Sequence, residues 1–122
     1  MKILVVDDES GMRLTLGGIF RRRGYEVAMA EDGYQAIEEV KKSDIDVILI
    51  DIRMPGMDGV ETFIKIKEIQ PNIAVFMMTA FAVDERIKKA VEEGARGIVY
   101  KPFDVEQILS MIGACSPKPS PS

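Results

Sequence analysis

Five short apolar runs, each separated from the next by a stretch with helical periodicity, leave few folds open to this chain. The runs lie at residues 2–6, 26–30, 47–50, 74–78 and 98–100 and are rich in branched aliphatic side chains. Between and after them, Met12, Leu16, Ile19 and Phe20 recur at helical spacing, as do Val83, Ile87, Ala90 and Val91, and then Val105, Ile108, Leu109 and Ile112. Strands alternating with one-faced helices through short connections imply a parallel sheet covered on both sides, a three-layer α/β fold. The first and third runs are almost wholly apolar and suit the centre of the sheet, whereas "EVAMA" at 26–30 is mixed and suits an edge. The strand order 2-1-3-4-5 follows, with a topological switch between strands 1 and 3, and such sheets bind ligands at the carboxyl ends of their strands. Gly24, Gly94 and Gly97 are expected to end helices through left-handed caps.

The 122 residues suffice for one domain with one core, expected over 1–115. Residues 116–122, "SPKPSPS", form a Pro- and Ser-rich tail that reads equally as a linker to a further domain or as a frayed terminus. No apolar run approaches membrane-span length and the N-terminus lacks the layout of a signal peptide, so a cytoplasmic protein with no membrane partner is expected. The single cysteine, Cys115, agrees with a reducing compartment. A net charge of −4 argues against direct nucleic-acid binding, and the basic run Arg21-Arg22-Arg23 suits the last turn of a helix just before Gly24. The chain has no histidine, which excludes an internal imidazole base, a phosphohistidine or a His-ligated metal.

Asp7 and Asp8 follow strand 1, Asp51 follows strand 3, Thr79 follows strand 4 and Lys101 follows strand 5. In the inferred topology all five converge on one edge of the sheet. Taken singly each has an ordinary reading: acids at a helix start, with Glu9 and Ser10 as helix-entry residues, a strand-end threonine, a surface lysine. Jointly they describe a site. Three clustered carboxylates require a cation, and Mg2+ suits an all-oxygen set. Three aspartates, one divalent ion and the Lys101 ammonium sum to zero charge, so a phosphoryl group can approach. Asp51, the most central, is the candidate nucleophile, forming an acyl phosphate whose oxygens Lys101 and the ion stabilise. The Thr79 hydroxyl would bond one of those oxygens, and Ala80 is small enough to leave the phosphate room. In "MPGMDG", residues 54–59, Gly56 and Gly59 supply permissive backbone and Asp58 a helix cap, and the loop offers the Arg53 carbonyl as a neutral metal ligand. In "YKPF", a cis Lys101–Pro102 peptide would aim the ammonium at the sheet edge.

In combination and in order, "VVDDE", "LIDIRMPGMDG", "MTA" and "KPF" resemble the receiver domain of two-component response regulators, over nearly the whole chain from Lys2 to about Ala114. The resemblance implies a flavodoxin-like (βα)5 fold and a phosphorelay role. It makes Asp51 the phospho-acceptor, Asp8 a direct Mg2+ ligand, Asp7 an acid reaching the ion through water, Thr79 the switch hydroxyl and Lys101 the phosphate contact. It also implies a sensor histidine kinase or phosphotransfer protein as donor, supplying the histidine this chain lacks. Arg53 and Phe81 would flank the phosphate and tune its hydrolysis. An output domain or target protein, or a homodimer, would use the face of the fourth helix, fifth strand and fifth helix. That helix carries Arg86, Lys88, Lys89, Glu92 and Glu93, equally in keeping with a solvated surface. One departure stands out: the family often has an aromatic residue three positions before the lysine, and here that position is Ile98.

Two other functions share parts of this pattern. A phosphatase of the haloacid dehalogenase type needs an aspartate two positions after its nucleophile, but Arg53 follows Asp51 and Glu9 follows Asp7 at that spacing. A flavodoxin-type cofactor binder needs a phosphate-holding Gly, Ser and Thr loop after strand 1, where this chain has Asp7-Asp8-Glu9. A phosphorylation-independent binding module would be expected to have lost some of the five site residues, and all are present. The chain is therefore expected to be a phospho-acceptor signalling domain rather than an enzyme with an external product.

Overall fold

The computed structural model describes residues 1–80 and 85–115. Phe81 and Val83, and the tail at 116–122, lie outside the described residues. Among these residues five strands, β1 (Lys2–Val6), β2 (Glu26–Ala30), β3 (Val47–Asp51), β4 (Ala74–Thr79) and β5 (Gly97–Tyr100), alternate with five helices, α1 (Ser10–Arg22), α2 (Gly33–Lys42), α3 (Gly59–Ile69), α4 (Glu85–Glu92) and α5 (Val105–Gly113). The strands form one parallel sheet in the order β2-β1-β3-β4-β5. This is the expected flavodoxin-like order, with β1 and β3 adjacent at the switch point.

Burial explains why the strands sort as they do. Every residue of β3 and β4 is buried, and Ile3 to Val6 of β1 are wholly inaccessible, whereas the edge strands β2 and β5 retain exposed positions. Alternate strand residues divide into two cores. Leu4, Val6, Ile48, Ile50, Val75 and Met77 pack against the side carrying Ala36 and Val40 of α2, Val60, Phe63 and Ile66 of α3, and Ala90 of α4. Ile3, Val5, Val47, Leu49, Phe76 and Met78 meet Leu16 and Phe20 of α1 and Ile108, Leu109 and Ile112 of α5. Hydrophobic burial on both faces leaves polar chemistry no place on the sheet except its ends.

The expected cap of α3 is present, and α2 has one of the same kind. Asp58 caps α3 by accepting from Glu61 N–H at 2.9 Å, and Asp32 caps α2 in the same way from Gln35 N–H at 2.8 Å. Gly24 (φ 89°) and Gly94 (φ 100°) end α1 and α4 in the left-handed region. Gly97 does not: it opens β5 with no positive φ, and a Cβ there would lie 2.6 Å from Met111 Cε and 3.2 Å from Phe76 Cδ1. Its smallness serves packing of α5 on the sheet rather than the helix cap expected from the sequence. β3 and β4 each run one residue past the expected end, so Asp51 and Thr79 are the last residues of their strands.

Candidate functional site

Strand register assembles the site. Val6 lies beside Ile50 across the β1–β3 pair, so the next residues, Asp7 and Asp51, sit level at the carboxyl edge. Both continue the alternation that puts Val5 and Leu49 on the α1 and α5 side. Thr79 is level with Tyr100 in the β4–β5 pair, and Lys101 comes next, its N–H donating to the Thr79 carbonyl at 2.8 Å. The Lys101–Pro102 peptide is cis.

The Lys101 ammonium lies between two acids, donating to Asp51 Oδ2 at 2.9 Å and to Asp7 Oδ2 at 3.2 Å. Asp7, Asp8 and Asp51 each bring a carboxylate oxygen to within 4.8 Å of the others. Asp7 is wholly buried, Asp51 is 7% exposed, and Asp8 is the exposed member. An open cleft of about 240 Å³ lies over them, lined by Asp8, Glu9, Asp51, Arg53, Thr79, Ala80 and Lys101. Thus the sheet edge brings together Asp7, Asp8, Asp51, Arg53, Thr79, Ala80 and Lys101. Asp7 forms the buried floor of this group rather than its lining. Ile98 is half-buried against the α2, α3 and α4 core, and the neighbouring aromatic, Tyr100, is exposed.

Backbone groups complete the setting. Asp51 Oδ1 accepts from Arg53 N–H at 3.2 Å, and Asp7 Oδ1 accepts from Glu9 N–H at 3.0 Å. Gly59 N–H donates to the Ile52 carbonyl at 2.8 Å, and a Cβ on Gly59 would fall 2.2 Å from the Asp51 carbonyl oxygen. The start of α3 is therefore pressed directly against the backbone of Asp51. Gly59 thus does more than supply the permissive backbone expected of it. Two further residues belong to this setting: Glu9, which reads in the sequence as a helix-entry residue and also lines the cleft, and Arg13, whose guanidinium donates to the Asp7 carbonyl at 2.6 Å. Arg13 lies one turn beyond Glu9, a spacing that faces it back toward the acids, and that was the signal available.

Burial raises the pKa of Asp51 above the ordinary 3.8, as does the neighbouring Asp7 charge; the Lys101 hydrogen bond and charge and the Arg53 N–H oppose this without cancelling it. Burial pulls the Lys101 pKa down, but hydrogen bonds to and charges on Asp51 and Asp7 outweigh it and leave the value above 10.5. The Asp7 charge thus adds to the cost of ionising Asp51, and a cation relieves that cost. The donor set fits a hard divalent ion: oxygen ligands only, three acids in reach of one point, and an open side for water.

Fold and site together define a doubly wound α/β domain with an acidic, lysine-bridged centre at the switch-point edge of its sheet. Residues 3–113 match the model of the response regulator receiver domain family, and the chain belongs to that family. It is 40% identical over 111 residues to sporulation initiation phosphotransferase F of Bacillus subtilis, covering 91% of this chain and 90% of that protein. It is likewise 40% identical over 110 residues to the transcriptional regulatory protein ZraR of Escherichia coli, covering 90% of this chain but only 25% of that one. Among solved structures, the chemotaxis protein CheY4 of Vibrio cholerae superposes with a TM-score of 0.87 at 30% identity, covering 94% of this chain and 98% of that one.

Proposed function

We propose that Asp51 accepts a phosphoryl group from a histidine-bearing donor, a sensor kinase or phosphotransfer protein, and that this modification switches the domain in a two-component phosphorelay. The observation that carries the reading is the Lys101 ammonium bridging Asp51 and Asp7 at 2.9 and 3.2 Å, with Asp8 beside them. Four elements of charge from three strand ends are gathered where one phosphoryl group would sit.

In the transfer, an Asp51 carboxylate oxygen attacks phosphorus in line while the P–N bond of the donor phosphohistidine breaks, the electron pair leaving with the imidazole. Lys101 then exchanges its bond to the Asp51 carboxylate for the phosphoryl oxygens, and the Thr79 hydroxyl donates to another. Asp7, Asp8 and Asp51, with the Arg53 carbonyl, would hold Mg2+. When bound, that ion supplies charge neutralisation of the carboxylates and the developing phosphoryl charge. Arg53, on the cleft wall, would govern water access to the product and so its lifetime. The chain turns over no external substrate in this reading and works in the cytoplasm. No described helix is long and apolar enough to cross a membrane.

Intact mass after incubation with acetyl phosphate tests the reading. The wild type with Mg2+ gains one phosphoryl adduct; EDTA or Asp51→Asn abolishes it. Absence of an adduct in every condition, or its persistence in Asp51→Asn, would refute Asp51 as acceptor.

A further inference from the structure

Arg13 contacts the acidic loop, and the proposed chemistry leaves its role unassigned. It lies in the first turn of α1, with its own N–H bonded to the Glu9 carbonyl at 3.2 Å, and its Nη1 reaches back to the Asp7 carbonyl at 2.6 Å. That carbonyl belongs to the peptide linking Asp7 to Asp8. The other polar groups of Asp7 are also engaged: its N–H with the Ala30 carbonyl at 3.2 Å, its Oδ1 with Glu9 N–H and its Oδ2 with Lys101. Asp7 is held by burial as well, whereas Asp8 is exposed. The direction of the Asp8 carboxylate therefore depends on the plane of the peptide that precedes it.

We propose that Arg13 is a positioning residue for divalent-cation binding: by clamping the Asp7 carbonyl it fixes the Asp7–Asp8 peptide and so aims Asp8 into the cluster. This rests on the reading of Asp7, Asp8 and Asp51 as a cation site. Arg13 never touches the ion. Groups that orient metal ligands typically alter affinity by roughly 10-fold or more when removed.

Two roles for Arg13 predict opposite signs. A guanidinium acting only as a nearby positive charge repels a divalent ion, so removing it would tighten binding. A guanidinium acting as a clamp holds Asp8 in place, so removing it loosens binding. Calorimetric titration of the full chain with Mg2+ distinguishes them, with melting in EDTA recorded in parallel. Arg13→Met is expected to weaken Mg2+ binding about tenfold. Arg13→Lys, which keeps a donor and the charge, should recover most of the loss. Arg13→Gln, which keeps a donor without the charge, should bind better than Arg13→Met, and it serves as the test should Arg13→Met fail to fold. A merely structural role would lower the melting temperature in EDTA and leave the Mg2+ affinity of the folded variants unchanged, and that result overturns the proposal. Tighter binding by Arg13→Met or Arg13→Gln overturns it too. A wild type that binds no Mg2+ removes the cation-site reading and this inference together, whereas wild-type binding matched by Arg13→Met removes the inference alone.

Discussion

Asp51 is a group whose ionisation the fold resists. Its folded pKa lies above its unfolded value near 3.8, first through burial and then through Asp7, so its contribution to stability is fully present below pH 3.8 and is lost as pH rises through the folded value. At neutral pH and without a divalent ion, its charge works against folding. Asp51→Asn is accordingly expected to melt a few degrees higher than wild type in EDTA at pH 7, with the gap closing as pH approaches 4. Melting curves across that range measure it, and a gap that is constant or grows toward acid would contradict the desolvation argument. Lys101 has the complementary sign: its folded pKa lies above 10.5, so its stabilisation persists through neutral pH and fades only as pH rises through the folded value. One side chain is thus held ready for a cation, and the other partly stands in for it.

At the scale of elements, two helical glycines have opposite roles. Gly18 lies inside α1 with nothing within 4 Å of a Cβ, so Gly18→Ala should stabilise the protein by about 0.5–1 kcal/mol through backbone entropy and helix propensity. Gly59 opens α3 with a Cβ position 2.2 Å from the Asp51 carbonyl oxygen and 2.9 Å from Ile52 Cα, both backbone atoms that cannot step aside. Gly59→Ala should therefore cost about 1–3 kcal/mol and slow phosphoryl uptake from acetyl phosphate, because relief must come from moving Asp51. Urea midpoints and adduct rates separate the two, and equal effects at both sites would refute the close-approach argument. The strands were legible because an interior strand of a doubly covered sheet must be apolar throughout, as 47–50 and 74–78 are. The partners of a loop across the chain were not, because Gly59, Gly97 and Arg13 owe their roles to contacts, and no local pattern in the sequence records which backbone a glycine will meet.

At the scale of the molecule, the topology could be inferred before any motif, and it located the site at the β1–β3 edge; the motifs then supplied the chemistry. What topology alone could not give was the balance of charge, since the wholly buried Asp7 and the exposed Asp8 are adjacent in sequence and equivalent in composition. That balance couples the site to global stability. A ligand binding only the folded state stabilises it by RT ln(1 + [L]/Kd), about 2.7 kcal/mol at a hundredfold excess over Kd. Wild type should gain stability with Mg2+ on that logarithmic law, and Gly18→Ala, whose substitution lies in the interior of α1, should gain the same increment on its higher baseline. Asp8→Asn and Asp51→Asn should gain far less, each having given up one of the three clustered carboxylates. The ordering of wild type and Asp51→Asn expected in EDTA should therefore reverse as Mg2+ is raised. Chemical denaturation at stepped Mg2+ concentrations reads this crossing directly. Parallel curves without a crossing would mean that the acids meet at the sheet edge without binding the ion as a unit.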